Sequence, residues 1–225
     1  MARKSYAEQL EELRGNVLHM GDIVLERLEL AMTSMLEGNK EKADEIGAKD
    51  DQIDDLYIDI ERQCCDLLAL QQPVATDLRL ITASYKIITD LERIGDKVVN
   101  LTDYTIEFEQ DFLLDKDEIR NLGKFAGSML DDALTYYDLQ ELENARQLTQ
   151  RDEVMDKMCE ESTNKILHHL IKKESKTLTT EQATTLGQQV LLELLTIRDL
   201  ERVADHATNI AARTIYLITS ERDLI

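Results

Sequence analysis

Apolar residues in the first part of the chain recur at spacings of three and four. Leu10, Leu13, Val17, Met20, Val24, Leu28, Met32 and Met35 form one stripe, the period of an α-helix with a single buried face. Ser5 and Glu8 ahead of it make a capping-box sequence. The segment EGNKEK, Glu37 to Lys42, breaks the period. A second run follows through Ile53, Leu56, Ile60, Cys64 and Leu67 until Gln72 and Pro73 stop it. A third begins near Ala75, uses Leu78, Ile81, Ile88, Leu91, Gly95 and Val98, and fades by Phe108 into the polar link EQDFLLDKDE.

Beyond the link the plan repeats, with helices over Lys116 to Tyr136, Leu139 to Lys172 and Thr180 to Thr219, the last capped by Thr179 and Gln182. Long helices joined by short polar connections pack antiparallel. The pattern therefore predicts an all-α fold of two tandem, sequence-related three-helix bundles with six long helices. They are divided as residues 1–110 and 111–225 and stacked side by side or end to end.

The relation between the halves rests on particular residues. Residues 87–101 read IITDLERIGDKVVNL and residues 196–210 read TIRDLERVADHATNI. Seven of fifteen positions are identical, where chance gives about one. They pair Ile88 with Ile197, Asp90 with Asp199, Leu91 with Leu200, Glu92 with Glu201, Arg93 with Arg202, Asp96 with Asp205 and Asn100 with Asn209. A weaker echo links residues 49–54, KDDQID, to 151–156, RDEVMD, with the carboxylates at the same spacing.

That repeat directs attention to acidic rows. Residues four apart share a helix face, so Glu92, Asp96 and Asn100 form a row of oxygen ligands, and Glu201, Asp205 and Asn209 its counterpart. Asp50 with Asp54, and Asp152 with Asp156, supply a second rail if the second and third helices of each bundle are neighbours. Adjacent carboxylates repel unless protonated or bridged by a cation, and all-oxygen sets suit Mg, Mn or Ca, with iron and zinc also acceptable. The competing reading is a solvated acidic face. With 46 acidic residues among 225, about nine acidic pairs at this spacing arise by chance. Recurrence of the third-helix pairs with matched Arg, Asp and Asn raises them above that background. The sequence leaves open which helices share a site.

Charge narrows the partners. A formal net charge of −20 opposes binding to the phosphate backbone of nucleic acids. No stretch approaches the length of an apolar membrane span, and the opening MARKSYAEQLEEL is acidic where a secretory signal would be apolar, which predicts a cytoplasmic chain. Cys64, Cys65 and Cys159 make neither a disulfide framework nor a metal motif and are expected reduced. Arg93 and Arg202 are expected to bridge to Asp90 and Asp199. His206 is expected on the surface, and His19, His168 and His169 in structural roles. The methionines with Tyr57, Tyr85 and Tyr104 are expected to fill the core.

The residues resemble the PhoU family of phosphate-signalling regulators over nearly the whole chain. Residues 73–101 carry a proline-alanine turn, Asp77-Leu78-Arg79 and the Glu-Arg-x-x-Asp core, while the second half has Thr185, Leu186 and Gly187 where an Asp-Leu-Arg would stand. The resemblance implies a non-enzymatic adaptor, commonly a homodimer, cytoplasmic and reaching the membrane only through partners. It joins the ATPase of the phosphate ABC transporter to a sensor histidine kinase and represses phosphate-starvation genes. It also implies that the four acidic motifs, Asp50/Asp54, Glu92/Asp96, Asp152/Asp156 and Glu201/Asp205, hold divalent or trivalent metal ions, in some members as multinuclear iron or zinc clusters. Two other readings compete. A ferritin-like di-metal carboxylate oxidase needs Glu-x-x-His motifs, and the chain contains none. A metal-free helical scaffold would retain negligible metal on purification.

Overall fold

A computed structural model describes residues 5–71, 73, 75–108, 111–174 and 179–220. The first half runs α1 (Tyr6–Glu37), α2 (Lys40–Gly47), α3 (Asp51–Gln71) and α4 (Ala75–Glu107). The second runs α5 (Lys116–Leu139), α6 (Leu142–Glu174) and α7 (Thr180–Thr219). Six are long, as the periodicity predicts. The departure is α2. Only Gly38 and Asn39 break the chain after α1, because Gly38 takes the left-handed conformation that closes the helix and the Asn39 side chain caps Lys42. The short α2 then ends in the turns around Ala48 that precede α3. In the second half α6 continues without interruption through the region corresponding to that break.

The predicted caps form. Ser5 and Glu8 exchange both bonds of a capping box, and so do Thr179 and Gln182. On α1 every predicted stripe residue from Leu13 to Met35 is buried, and on α3 so are Ile53, Ile60, Cys64 and Leu67. Leu78 departs from its stripe and is 41% exposed near the start of α4. Tyr85 is also exposed and donates to Glu61 instead of filling the core.

The halves lie side by side. α4 packs along α7, and α1 along α5, so these two pairs form the seam while α3 and α6 lie outside on α4 and α7. One apolar cluster runs through both halves, from Leu13 and Ile87 to Leu130 and Ile210. The link between the halves is held by α7. Buried Glu193 accepts from the Leu113 N–H at 2.5 Å and the Leu114 N–H at 3.1 Å, and Gln189 donates to the Asp111 carbonyl. Arg79 of the Asp-Leu-Arg segment reaches across the seam, its Nε donating to the Leu217 carbonyl at 3.0 Å near the end of α7. That carbonyl is among those a helix terminus leaves without an intrahelical donor.

Candidate functional site

The four acidic motifs fall into two groups, one in each half. Asp50, at the turn before α3, and Asp54 in its first turn face Glu92 and Asp96 on α4. Burial first, then the charges of Asp54 and Asp96, push the Asp50 carboxyl above its ordinary range. Glu92 is raised by burial and by Asp96, Asp54 and Asp50. In the second half, burial with Asp205 and Asp156 raises Asp152, and burial with Asp205, Asp156 and Asp152 raises Glu201. No carboxylate of one group acts on the other in these balances. Thus α3 and α4 in the first half, and α6 and α7 in the second, supply two facing rails.

Close packing of α3 on α4 depends on Gly95, between Glu92 and Asp96. A Cβ there would stand 3.1 Å from Ile53 Cδ1. The corresponding positions in the second half hold Ala204 and Met155, both buried, so a residue larger than glycine is matched there by one unbranched and more adaptable than isoleucine.

The two asparagines predicted as ligands have another use. Asn100 donates its Nδ2 to Asp199 Oδ2 at 3.0 Å, and Asn209 donates to Asp90 Oδ1 at 3.3 Å. Both bonds cross the seam between α4 and α7. Helical rotation explains the change of role: each residue four positions on is turned by about 40° from the one before, so Asn100 has left the line of Glu92 and faces the other half. Fully buried Asp199 also accepts from the Tyr104 hydroxyl at 2.8 Å and from Arg198 at 3.2 Å. Asp90 also meets His206 Nδ1 at 2.9 Å.

These bonds correct several expectations. His206 is not on the surface: its side chain is only 12% exposed and paired across the seam. Tyr104 packs against the core as expected and in addition donates to Asp199, and burial together with Asp199 pushes its hydroxyl up to about 12. Arg202 bridges to Asp205 at 3.1 Å rather than to Asp199, and Arg93 acts on Glu92. Asp90 and Asp96 each lie three residues from Arg93, so spacing along the helix alone does not choose between them. Arg27 escaped the sequence reading. It lies on α1, is 7% exposed, donates to Gln52 at 2.9 Å and acts on Asp50. Its signal was a charged residue on the buried face of an otherwise apolar stripe.

The donor set suits a hard cation in chemistry and charge: carboxylate oxygens, partly desolvated and mutually repelling. Among the described residues, no three His, Cys, Asp or Glu side chains converge tightly enough to hold a metal ion as they stand. The three cysteines are free, and burial pushes the Cys64 and Cys159 thiols up to about 12.

The model of the PhoU domain matches this chain twice, at residues 17–105 and 119–214, one match in each half. The chain belongs to the PhoU family. A phosphate-specific transport system accessory protein PhoU homolog of Clostridium acetobutylicum is 34% identical over 224 residues, spanning 99% of this chain and 98% of the relative. The crystal structure of PhoU from Pseudomonas aeruginosa superposes with a TM-score of 0.86 at 26% identity, covering 96% of this chain and all of that one. The phosphate transport system regulatory protein PhoU from Streptococcus pneumoniae gives the same TM-score at 29% identity, covering 96% and 98%. PhoU proteins are accessory regulators and not enzymes, and the oxidase reading has no support in this family.

Proposed function

We propose that this chain is a repressor of phosphate uptake and phosphate-starvation signalling, an adaptor between the ATPase of the phosphate ABC transporter and a sensor histidine kinase. Its accessory role in phosphate transport follows from the family. The observation that carries the reading is the double PhoU match over a chain whose full length aligns with phosphate-transport accessory proteins. No helix among the described residues is long and apolar enough to cross a membrane, which agrees with a cytoplasmic protein reaching the membrane through partners. The same reading takes residues 1–110 and 111–225 as the two repeats and a homodimer as the working form.

The carboxylate groups are the regulatory face in this account. Asp50, Asp54, Glu92 and Asp96 would hold one metal centre, and Asp152, Asp156, Glu201 and Asp205 the other, with iron or zinc as the candidate ions. A bound cation would cancel the repulsion that raises these carboxyls and stiffen α3 on α4 and α6 on α7. Arg202 would release Asp205 as the cation takes its place. Asn100 and Asn209 hold the seam and stay outside the ligand set.

The test is a phosphate-starvation reporter in high phosphate, compared between the parent strain and one lacking the gene. High activity only in the deletion, reversed by the gene in trans, is the expected result. Equal activity in both strains contradicts repression by this chain.

A further inference from the structure

The first half of α7 stands apart from the rest of the chain in its surface charge. Residues 182–197 read QATTLGQQVLLELLTI and hold one charged residue in sixteen, Glu193, which is buried and bound to the link between the halves. Elsewhere in the chain no run of sixteen residues has fewer than two charges, and the net charge is −20. Thr184, Gly187, Gln188 and Leu191 line the solvent side of this run at helical spacing, with Leu191 55% exposed. Among the described residues, nothing lies within 4 Å of the place a Cβ would take at Gly187, so a neighbouring backbone can come close. Beside it, a groove between α7 and the end of α4 is lined by Ile106, Phe108, Gln188 and Leu191, with Glu107 the charged residue on its rim.

Charge selects what can cover this face. A second copy of so acidic a chain is repelled over most of its surface. In a two-fold contact each copy offers the same patch, so like charges face one another unless the patch is uncharged or its charges lie off the axis. This run meets that condition, and its ends add attraction. Exposed Glu181 lies just before it and Arg198 just after, the latter with a side chain 57% exposed beside its bond to Asp199. Two copies of the run laid antiparallel, with the axis midway along it, bring each Glu181 toward the Arg198 of the other copy. Parallel copies set Glu181 against Glu181 and Arg198 against Arg198. A strongly charged partner of either sign finds little here to answer it.

We infer that residues 181–198 of α7 are the contact surface for a second copy of this chain, the two segments crossing antiparallel about a two-fold axis. Leu191 and Ile106 form its apolar centre, and Glu181 with Arg198 its charged ends. This rests on the homodimer reading proposed above and names the interface. The centre supplies affinity, while the end pairs, exposed at the rim, set orientation more than strength.

The experiment measures the mass of the full-length protein by sedimentation velocity across a concentration series, with circular dichroism to check folding. The parent is expected as a dimer of the 25.8 kDa chain. Leu191→Glu, which adds a carboxylate to each side of the contact, weakens association by about a hundredfold or more. Leu70→Glu, at a leucine 68% exposed on α3, leaves it unchanged. Glu181→Lys and Arg198→Glu each weaken the dimer, and combining them restores it, because the pairing runs between copies. A folded Leu191→Glu chain that stays dimeric overturns the inference while leaving the homodimer reading intact. If that dimeric variant also loses repression of the reporter, the face serves a different protein. A double charge swap no stronger than its singles overturns the antiparallel pairing. A parent monomeric at every concentration removes the homodimer reading and the inference with it.

Discussion

Asn100 on α4 donates to the fully buried Asp199 on α7, 3.0 Å away, and Asn209 on α7 returns the bond to Asp90 on α4. The two halves are thus fastened by the same pair of residues used twice, in opposite directions. Replacing Asn100 with Leu leaves a buried carboxylate short of a donor. The expected cost is about 1–3 kcal/mol in urea unfolding, and the doubly substituted Asn100→Leu, Asn209→Leu chain loses more than either single variant. Single variants as stable as the parent would show that the seam does not depend on these bonds.

Much of this architecture was legible in the sequence. The apolar stripes located the long helices because each has one buried face, and the caps at Ser5 and Thr179 marked two starts. The seven identical positions in the third helices announced the repeat, but not the division of labour among them. Ile88 and Leu91 with their partners fill the core, Glu92 and Asp96 face α3 and their partners face α6, and Asp90 with Asn209 and Asp199 with Asn100 bind the halves. Spacing on one helix cannot reveal that split, since it depends on which helix lies across each face. The same limit hid Arg27, whose partner is on α3, and sent Arg202 to the wrong aspartate. The short α2 was missed because eight residues with only two buried side chains, Ala43 and Ile46, carry too little apolar period to register.

Glu193 offers a second check, on the link between the halves. Its carboxylate is buried and accepts both the Leu113 and Leu114 N–H groups. Glu193→Ala is expected to cost about 2–4 kcal/mol. In hydrogen exchange the Leu113 and Leu114 amides should then exchange much faster than in the parent. Unchanged protection of both amides would mean the link is held by other contacts.

The Gly95–Ile53 contact makes a compensation experiment possible. Gly95→Ala places a Cβ 3.1 Å from Ile53 Cδ1, crowding that offsets the gain in helix propensity and leaves a net cost of about 1 kcal/mol. Adding Ile53→Met reproduces the Ala204 and Met155 pair of the second half and should recover that loss. A double variant less stable than Gly95→Ala alone contradicts the packing argument.

Alkaline titration tests the buried hydroxyls. Burial, aided by Asp199, pushes Tyr104 up to about 12, and burial pushes Tyr137, which pairs with Ser84 at 2.7 Å, to about 12. A group whose value rises on folding contributes stability that is fully present below its ordinary value, here 10, and is lost as pH climbs through the folded value. Stability should therefore fall between pH 10 and about 12, by on the order of 2–3 kcal/mol for Tyr137. Tyr137→Phe should flatten that decline in thermal unfolding measured across the range. A decline as steep in the variant would assign it to other groups.

The most direct test of the account is complementation of the deletion strain by a chain whose acidic faces have been neutralised without change of shape. Glu92→Gln, Asp96→Asn, Glu201→Gln and Asp205→Asn are combined, and circular dichroism and protein level are checked against the parent. The account predicts a folded, normally abundant protein that fails to restore repression of the phosphate-starvation reporter in high phosphate. Full repression by that variant would contradict a regulatory role for the carboxylate groups.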